Sequence, residues 1–416
     1  MSIEGSRRTE ILETAASLFA SSGLRTSLKE IADAAGIQAG SLYHHFDSKD
    51  AIIVELVERY RADLDALAER VRWAGADDGP VADRLVELGG AIAGCAVRHR
   101  AAFLFTLYDP PSGASDELVS VAGRRPMALE AALLELLRAG EASGEIRSGI
   151  DLETFADRLC QVLLHSSLPV FGTVVGPDSV AEIRSRALLD GVAARVPSDR
   201  ALDRSAAFAA AQRTIGEWQA LEEGEDERLP KLRSAARAEF GRRGYESTTV
   251  RDIAKASGLS VGSVYRLVGS KDELLGSIMD RFVAVVRDGW RNVLGAEGSA
   301  VETLDALTWV NINAVDRFTD EYNIQLAFLR EAPPKSVNVG ATFLARLNDL
   351  KALLREGLRS GELRIGGRSA DVRAWALFEL LWMPESVVSE IGPRAALTLA
   401  RETTLRGLSS SGRRRA

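Results

Sequence analysis

Cysteine is almost missing from this chain of 416 residues: Cys95 and Cys160 are the only two. Their spacing suits neither a metal knuckle nor a redox pair, so the chain reads as reduced and cytoplasmic, with no disulfide framework. Histidine is equally scarce, at four. His44 and His45 are adjacent, hence on different faces of any helix, and His99 and His165 are remote from both. No Gly-x-Ser-x-Gly elbow, phosphate-cradling glycine loop or zinc spacing occurs, which leaves no sequence ground for an enzyme, a metal or a cofactor. No apolar run approaches the roughly 18 residues of a membrane span, and the opening "MSIEGSRRTEILETAASLFA" has no apolar signal core. A net charge of −7 argues against blanket nucleic-acid binding but leaves room for a local basic face. Strand-like alternation is nearly absent.

Helical spacing fills that gap. "RRTEILETAASLFASSG" sets Ile11, Leu12, Ala15, Leu18 and Phe19 on one stripe before Gly23. "KLRSAARAEFGRRG" does the same with Leu232, Ala235, Ala236 and Phe240 before Gly244. Further helices are predicted over about 49–72, 81–98, 115–142, 151–168 and 179–195, then 271–294, 300–318, 342–360, 370–389 and 393–408. The expected class is all-α. The chain also repeats itself. "GSLYHHFDSK" from Gly40 returns as "GSVYRLVGSK" from Gly262, "RAGEASGEIR" at 138–147 as "REGLRSGELR" at 355–364, and Pro110-Pro111 as Pro333-Pro334. The offset drifts from 222 to 223 to 217, as loop insertions produce. Two full-length copies explain this better than two short motifs. Between them lies a polar stretch ending in Glu222, Glu223, Glu225, Asp226 and Glu227, read as a partly helical linker whose acidic run is a solvated connector.

Each copy contains a motif with chemical content. In "SLKEIADAAGIQAGSLYHHF", Ser27 and Glu30 form a capping box that opens a helix carrying Leu28, Ile31, Ala32 and Ala35. Gly36 supplies a left-handed turn, and a short second helix follows over about 38–44. "TVRDIAKASGLSVGSVYRLV" repeats each device: the Thr249/Asp252 box, Ile253-Ala254, Gly258, Leu259 and Val264. This is a helix-turn-helix, whose second helix enters the DNA major groove. Gly40 and Gly262 stand early in that helix at about 1 kcal/mol each relative to Ala. Close approach of backbone to a base edge or phosphate explains the choice; tight internal helix packing is the alternative.

Both copies resemble the DNA-binding head of the TetR/AcrR family of transcriptional repressors, on the pattern Ile-Ala, Ala-Gly, Gly-Ser-aliphatic-Tyr, Ser-Lys. The resemblance implies two tandem units, each a three-helix head with a helical ligand and dimerisation body, joined as an intramolecular pseudo-dimer with further self-association open. The domains are then head 1–50, body 51–196, linker 197–227, head 228–273 and body 274–416. It implies DNA contacts at Ser27, Gln38, Ala39, Gly40, Ser41, Tyr43, His44 and Lys49. In the second copy they fall on Thr249, Ser260, Val261, Gly262, Ser263, Tyr265, Arg266 and Lys271. Tyr43 and Tyr265 can donate to phosphate, Gln38 can read adenine, and Arg266 suits guanine or phosphate. For the tyrosines the alternative is core packing with a wetted hydroxyl, and for the lysines ordinary solvated charge.

The heads differ. Residues 1–50 hold five basic side chains against seven acids, whereas 228–275 hold ten against five, so the second is expected to supply more binding energy. Unlike heads imply an operator that is an imperfect palindrome. In the bodies, aromatic stripes offer Phe103, Phe105, Tyr108, Phe155, His165 and Phe171, then Trp309, Phe318, Tyr322, Phe328, Trp375, Phe378 and Trp382. Plain core is the competing reading for each, and a satisfied core histidine for His165. These sets imply a small apolar effector. "SLYHHFDSK" is also similar to heads of actinobacterial regulators that answer lipid or steroid acyl thioesters, which suggests an acyl thioester or a related lipid-derived molecule. The expected function is repression relieved by that effector, in a cytoplasmic, nucleoid-associated protein. The rival readings are a helix-turn-helix that contacts only protein, or a regulator in which only the second head binds DNA.

Overall fold

The structure is a computed structural model and describes residues 3–22, 26–73, 79–106, 114–121, 123–167, 176–220, 228–245, 247–330, 339–367 and 369–410. Among these there is no strand beyond two isolated bridges, and no helix is long and apolar enough to cross a membrane. The first unit has a head of α1 (Ile3–Ser22), α2 (Leu28–Ala34) and α3 (Ala39–Leu42). Its body comprises α4 (Lys49–Trp73), α5 (Val81–Arg98), α6 (Arg100–Phe105), α7 (Asp116–Val121), α8 (Met127–Ala142), α9 (Leu152–Leu164) and α10 (Pro177–Asp190). Two connecting helices follow, α11 (Asp199–Leu202) and α12 (Ala206–Ala220). The second head is α13 (Arg228–Arg243), α14 (Val250–Ser257) and α15 (Val261–Val268). The second body is α16 (Lys271–Leu294), α17 (Ala300–Arg317), α18 (Thr319–Arg330), α19 (Val339–Ser360), α20 (Ala370–Leu380) and α21 (Glu385–Ala400). One π turn, Arg401–Leu405, extends the last helix.

The stripes read from the sequence are the faces that bury: Ile11, Leu12, Ala15 and Phe19 in α1, and Leu232, Ala236 and Phe240 in α13. Equivalent sites in the bodies do equivalent work. A Cβ on Gly140 would meet Ile146 at 2.8 Å, and one on Gly357 would meet Leu363 at 2.5 Å, so each glycine lets the following turn fold back on its helix. Two predicted helices are interrupted. The 115–142 segment breaks before Pro126, where proline cannot continue the hydrogen-bond ladder. The 370–389 segment stops at Leu380, ahead of Pro384, and Gly392 (φ 79°) with Pro393 kinks α21.

The 197–227 stretch does more than connect. Its helix α12 packs on α16 and α17: Phe208 stacks on Trp309 at 5.8 Å, Trp218 meets Phe318 edge-on at 5.7 Å, and Asn292 Nδ2 donates to Thr214 Oγ1 at 2.9 Å. The helical part expected of the linker is thus α12, held by two buried rings; the acidic run at 222–227, expected to be a solvated connector, lies outside the described residues.

The units meet through α9 and α10 on one side and α20 and α21 on the other. Buried arginines pin this contact. Arg158 donates to Thr403 Oγ1, to Thr404 Oγ1 at 2.8 Å and to Leu380 O at 3.0 Å, while Arg184 donates to Ala376 O at 3.2 Å. Beside them, backbone bonds occur in reciprocal pairs. Arg147 N donates to Leu408 O (2.9 Å) as Arg364 N does to Val192 O (2.8 Å), and Val192 N donates to Thr404 O (2.9 Å) as Leu408 N does to Leu188 O (3.1 Å). At the centre, Gly191 (φ 72°) and Gly407 (φ 77°) touch back to back. A Cβ on Gly191 would lie 2.5 Å from Leu405 O, and one on Gly407 would lie 2.3 Å from Gly191 N. Contacts that exchange i–j for j–i are the signature of a two-fold relation, here between two segments of one chain.

Candidate nucleic-acid interface and ligand cavity

The capping boxes read from the sequence position both turns. Ser27 N and Oγ donate to Glu30 Oε2 at 2.7 and 2.8 Å, and Thr249 N and Oγ1 donate to Asp252 Oδ2 at 2.8 and 2.6 Å. Hydrogen bonds from the Ser27 backbone and then its hydroxyl hold the Glu30 carboxyl below its usual value; the Thr249 hydroxyl and then its backbone do so for Asp252. Gly36 (φ 67°) and Gly258 (φ 69°) make the left-handed turn in each head.

Beyond the turn, Gln38, Ala39, Gly40, Ser41, Tyr43 and His44 are exposed, as are Ser260, Val261, Gly262, Tyr265 and Arg266; Ser263 is half-buried. Leu42 and Val264 anchor the inner face at 0% and 2% exposure. Tyr43 and Tyr265 stand 53% and 49% exposed, which removes core packing as their role. A Cβ on Gly40 or Gly262 would meet nothing within 4 Å, so neither glycine serves internal packing. Lys49 and Lys271 are half-buried and turned inward. Lys49 Nζ reaches Thr26 O at 3.5 Å, and Lys271 Nζ lies 4.0 Å above the Tyr245 ring.

The two second helices differ in build. Ser260 caps α15, accepting from Ser263 N at 3.2 Å, and that helix runs eight residues. Gln38 leads α3 without a side-chain bond, and that helix runs four. Charge differs as well. In the first head Arg8 is drawn inward to Glu55 (2.9 Å) and over Phe46 (4.0 Å), and Arg7 to Glu10 and Ala35 O. Register pairs Asp33, His44 and Asp47 with Lys255, Arg266 and Gly269. Three differences thus make the exposed face of the second head more positive, a signal present in the sequence once the copies are aligned.

The body candidates divide. Phe103, His165, Tyr322 and Trp382 come together in a cavity of about 780 Å3 that spans both units. Tyr60, Arg61, Arg124, Arg125 and Glu379 also line it and had not been singled out. His165 Nδ1 pairs with Glu379 Oε1 at 2.9 Å across the boundary, and Tyr322 stacks on Trp382 at 5.2 Å. Burial, then the like charge of Arg124, lowers the Arg61 guanidinium below its ordinary value. Phe155 and Phe318 are core, Trp309 lies under Phe208, and Trp375 and Phe378 pack on Phe343 at 5.8 and 4.7 Å. Tyr108, Phe171 and the side chain of Phe328 lie outside the described residues. Phe105 meets Phe19 of the head edge-on at 5.3 Å.

Two helix-turn-helix heads with solvent-facing second helices, carried on helical bodies, define a DNA-binding regulator. The family described as "Bacterial regulatory proteins, tetR family" matches residues 11–56 and again 232–278. The HTH-type transcriptional repressor KstR2 of Rhodococcus jostii is 32% identical over 191 residues, covering 45% of this chain and 91% of that protein. KstR2 of Mycobacterium tuberculosis is 53% identical over 68 residues, covering 16% and 32%. A solved structure titled "Probable transcriptional regulatory protein RHA5900" is 30% identical, covers 44% of this chain and 97% of its own, and gives a TM-score of 0.37. The chain belongs to the tetR family of bacterial regulatory proteins, a family of transcriptional regulators and not of enzymes.

Proposed function

We propose that this DNA-binding regulator is a self-contained repressor. Each head reads one half-site of an imperfectly palindromic operator, and an amphipathic effector held between the units releases the DNA. One observation carries the reading: the cavity walls stand on the helices that bear the heads. On α6, Phe103 faces the cavity while Phe105 packs on Phe19 of α1. On α18, Tyr322 faces the cavity while Glu321 pairs with Arg237 of α13 at 3.1 Å. A ligand that fits only a displaced α6 and α18 favours a different separation of the heads, and repression is relieved in proportion to that differential affinity.

Apolar rings on the cavity wall with Arg61 and Arg124 beside them suit an acyl chain carrying an anionic group, such as an acyl thioester of coenzyme A. The test begins by selecting bound sequences from random DNA and measuring the molar mass of the complex. One chain per two-half-site duplex is expected, and two chains per duplex would overturn internal pairing. A long-chain acyl coenzyme A then displaces the operator from the parent protein but not from Trp382→Ala. A second reading, in which the basic head alone grips DNA, draws on the inward-turned Arg7 and Arg8; it predicts that Tyr43→Phe with His44→Ala leaves affinity unchanged.

A further inference from the structure

Cys95 in the last turn of α5 and His99 at its cap are spaced i, i+4, which sets both on one face of the helix. Asp63, on the adjacent α4, completes a trio. One ligand atom from each (the Cys95 Sγ, a His99 ring nitrogen and an Asp63 carboxylate oxygen) lies within 4.8 Å of the other two. Cys95 is buried at the floor, His99 is half-buried and Asp63 is exposed, so the group opens to solvent on one side. None of the three lines the cavity between the units.

The fold does not ask for such residues here. From Lys49 and Lys271, α4 and α16 align at an offset of 222, which sets Asp63 opposite Val285. The 18-residue helices α5 and α17 align at 219, which sets Cys95 and His99 opposite Ala314 and Phe318. All three counterparts are apolar and buried. The positions correspond in space as well, for Tyr60 and His99 lie 5.7 Å apart as Phe282 and Phe318 lie 6.0 Å apart. In the second unit Trp218 of α12 packs on Phe318, whereas Asp63 is open to water in the first. Exposure accounts for a polar Asp63 and His99, but not for a sulfur beneath them in a chain with two cysteines and four histidines. An ion pair is the simpler arrangement: His99 Nε2 lies 2.9 Å from Asp63 Oδ2, and Arg98 Nη2 lies 3.7 Å from the same oxygen. That pair makes no use of Cys95, and the Arg98 side chain, 60% exposed, is free to turn outward.

We infer that Asp63, Cys95 and His99 bind a divalent transition-metal ion, zinc by the chemistry of the set, with water as the fourth ligand. Sulfur, imidazole and carboxylate together suit zinc. Bonds of about 2.0–2.3 Å set tetrahedral ligand atoms about 3–4 Å apart, within reach of side-chain rotation from the observed arrangement. The thiol gives up its proton as the metal binds. The ion would tie α4 to the joint where α5 gives way to α6, and it belongs to the first unit alone. Titration of the reduced, chelator-treated full chain with cobalt(II), followed by displacement with zinc, tests this. One equivalent of cobalt should give a thiolate-to-metal charge-transfer band, and zinc should abolish it. Cys95→Ala, which installs the second unit's residue, should lose the band. Asp63→Asn, on the exposed side where folding does not depend on it, should weaken zinc binding at least tenfold, as should His99→Phe. Cys160→Ala, the other thiol, should leave band and affinity unchanged. Absence of the band from the parent, its survival in Cys95→Ala, its loss in Cys160→Ala, or an Asp63→Asn chain that binds zinc as tightly as the parent would each overturn the assignment.

Discussion

At Gly40 and Gly262 helix stability and the proposed DNA contact ask for different residues. Each sits in a helix with open space where a Cβ would go. Ala at either position should therefore raise stability by up to about 1 kcal/mol, because glycine is the poorer helix former. The same change should weaken operator binding, which mobility shifts beside thermal melts will read. Tyr265 and Arg266 carry a larger share of affinity than Tyr43 and His44 if the charge difference between heads governs phosphate neutralisation. Replacing the second pair with Phe and Ala should flatten the salt dependence by about one unit of slope, and replacing the first pair by less. The caps make a prediction in pH. Asp252 is held below its usual 3.8, so the stability it contributes is present above that value and lost as pH falls through the folded one. Asp252→Asn should thus melt earlier than the parent at pH 6, with the gap narrowing only as the pH falls below 3.8.

At the level of helices, the junction of Gly191 with Gly407 is the most constrained point. Both adopt positive φ and leave no room for a Cβ, so Gly191→Ala should lower stability by at least about 2 kcal/mol and separate the unfolding of the two units in calorimetry. The helix-turn-helix was legible beforehand because every device in it is local: a cap, a capping partner three residues on, a glycine turn and an apolar stripe. The exposure of Tyr43 and Tyr265 followed from the same spacing. The cavity was less legible. Phe103, His165, Tyr322 and Trp382 converge only because α6 and α9 of one unit face α18 and the α20–α21 turn of the other, a relation that periodicity does not encode. Nor did "GEWQ" at 216–219 announce that Trp218 would pack on Phe318. A helix whose partner lies some hundred residues away looks like a polar connector until that partner is known. The reciprocal backbone bonds between 188–194 and 404–410 are equally silent in sequence, since main-chain groups are common to every residue.

For the whole molecule, covalent pairing changes the concentration dependence of binding. A homodimeric regulator loses affinity when its subunits dissociate on dilution, whereas tethered units hold a fixed effective concentration of each other. Operator affinity here should be constant from nanomolar to micromolar protein, with a sedimentation profile that does not shift across that range. Any concentration-dependent gain would point to pairing of whole chains.

Identical subunits must mutate in step; these two need not. On the proposed reading, Lys255 opposite Asp33 and Arg266 opposite His44 would give one end of the molecule a firmer hold on DNA than the other. A complex built this way has a front and a back. Such a complex would lie along the duplex in one orientation, and turning the operator end for end would move the stronger anchor from the upstream flank to the downstream one.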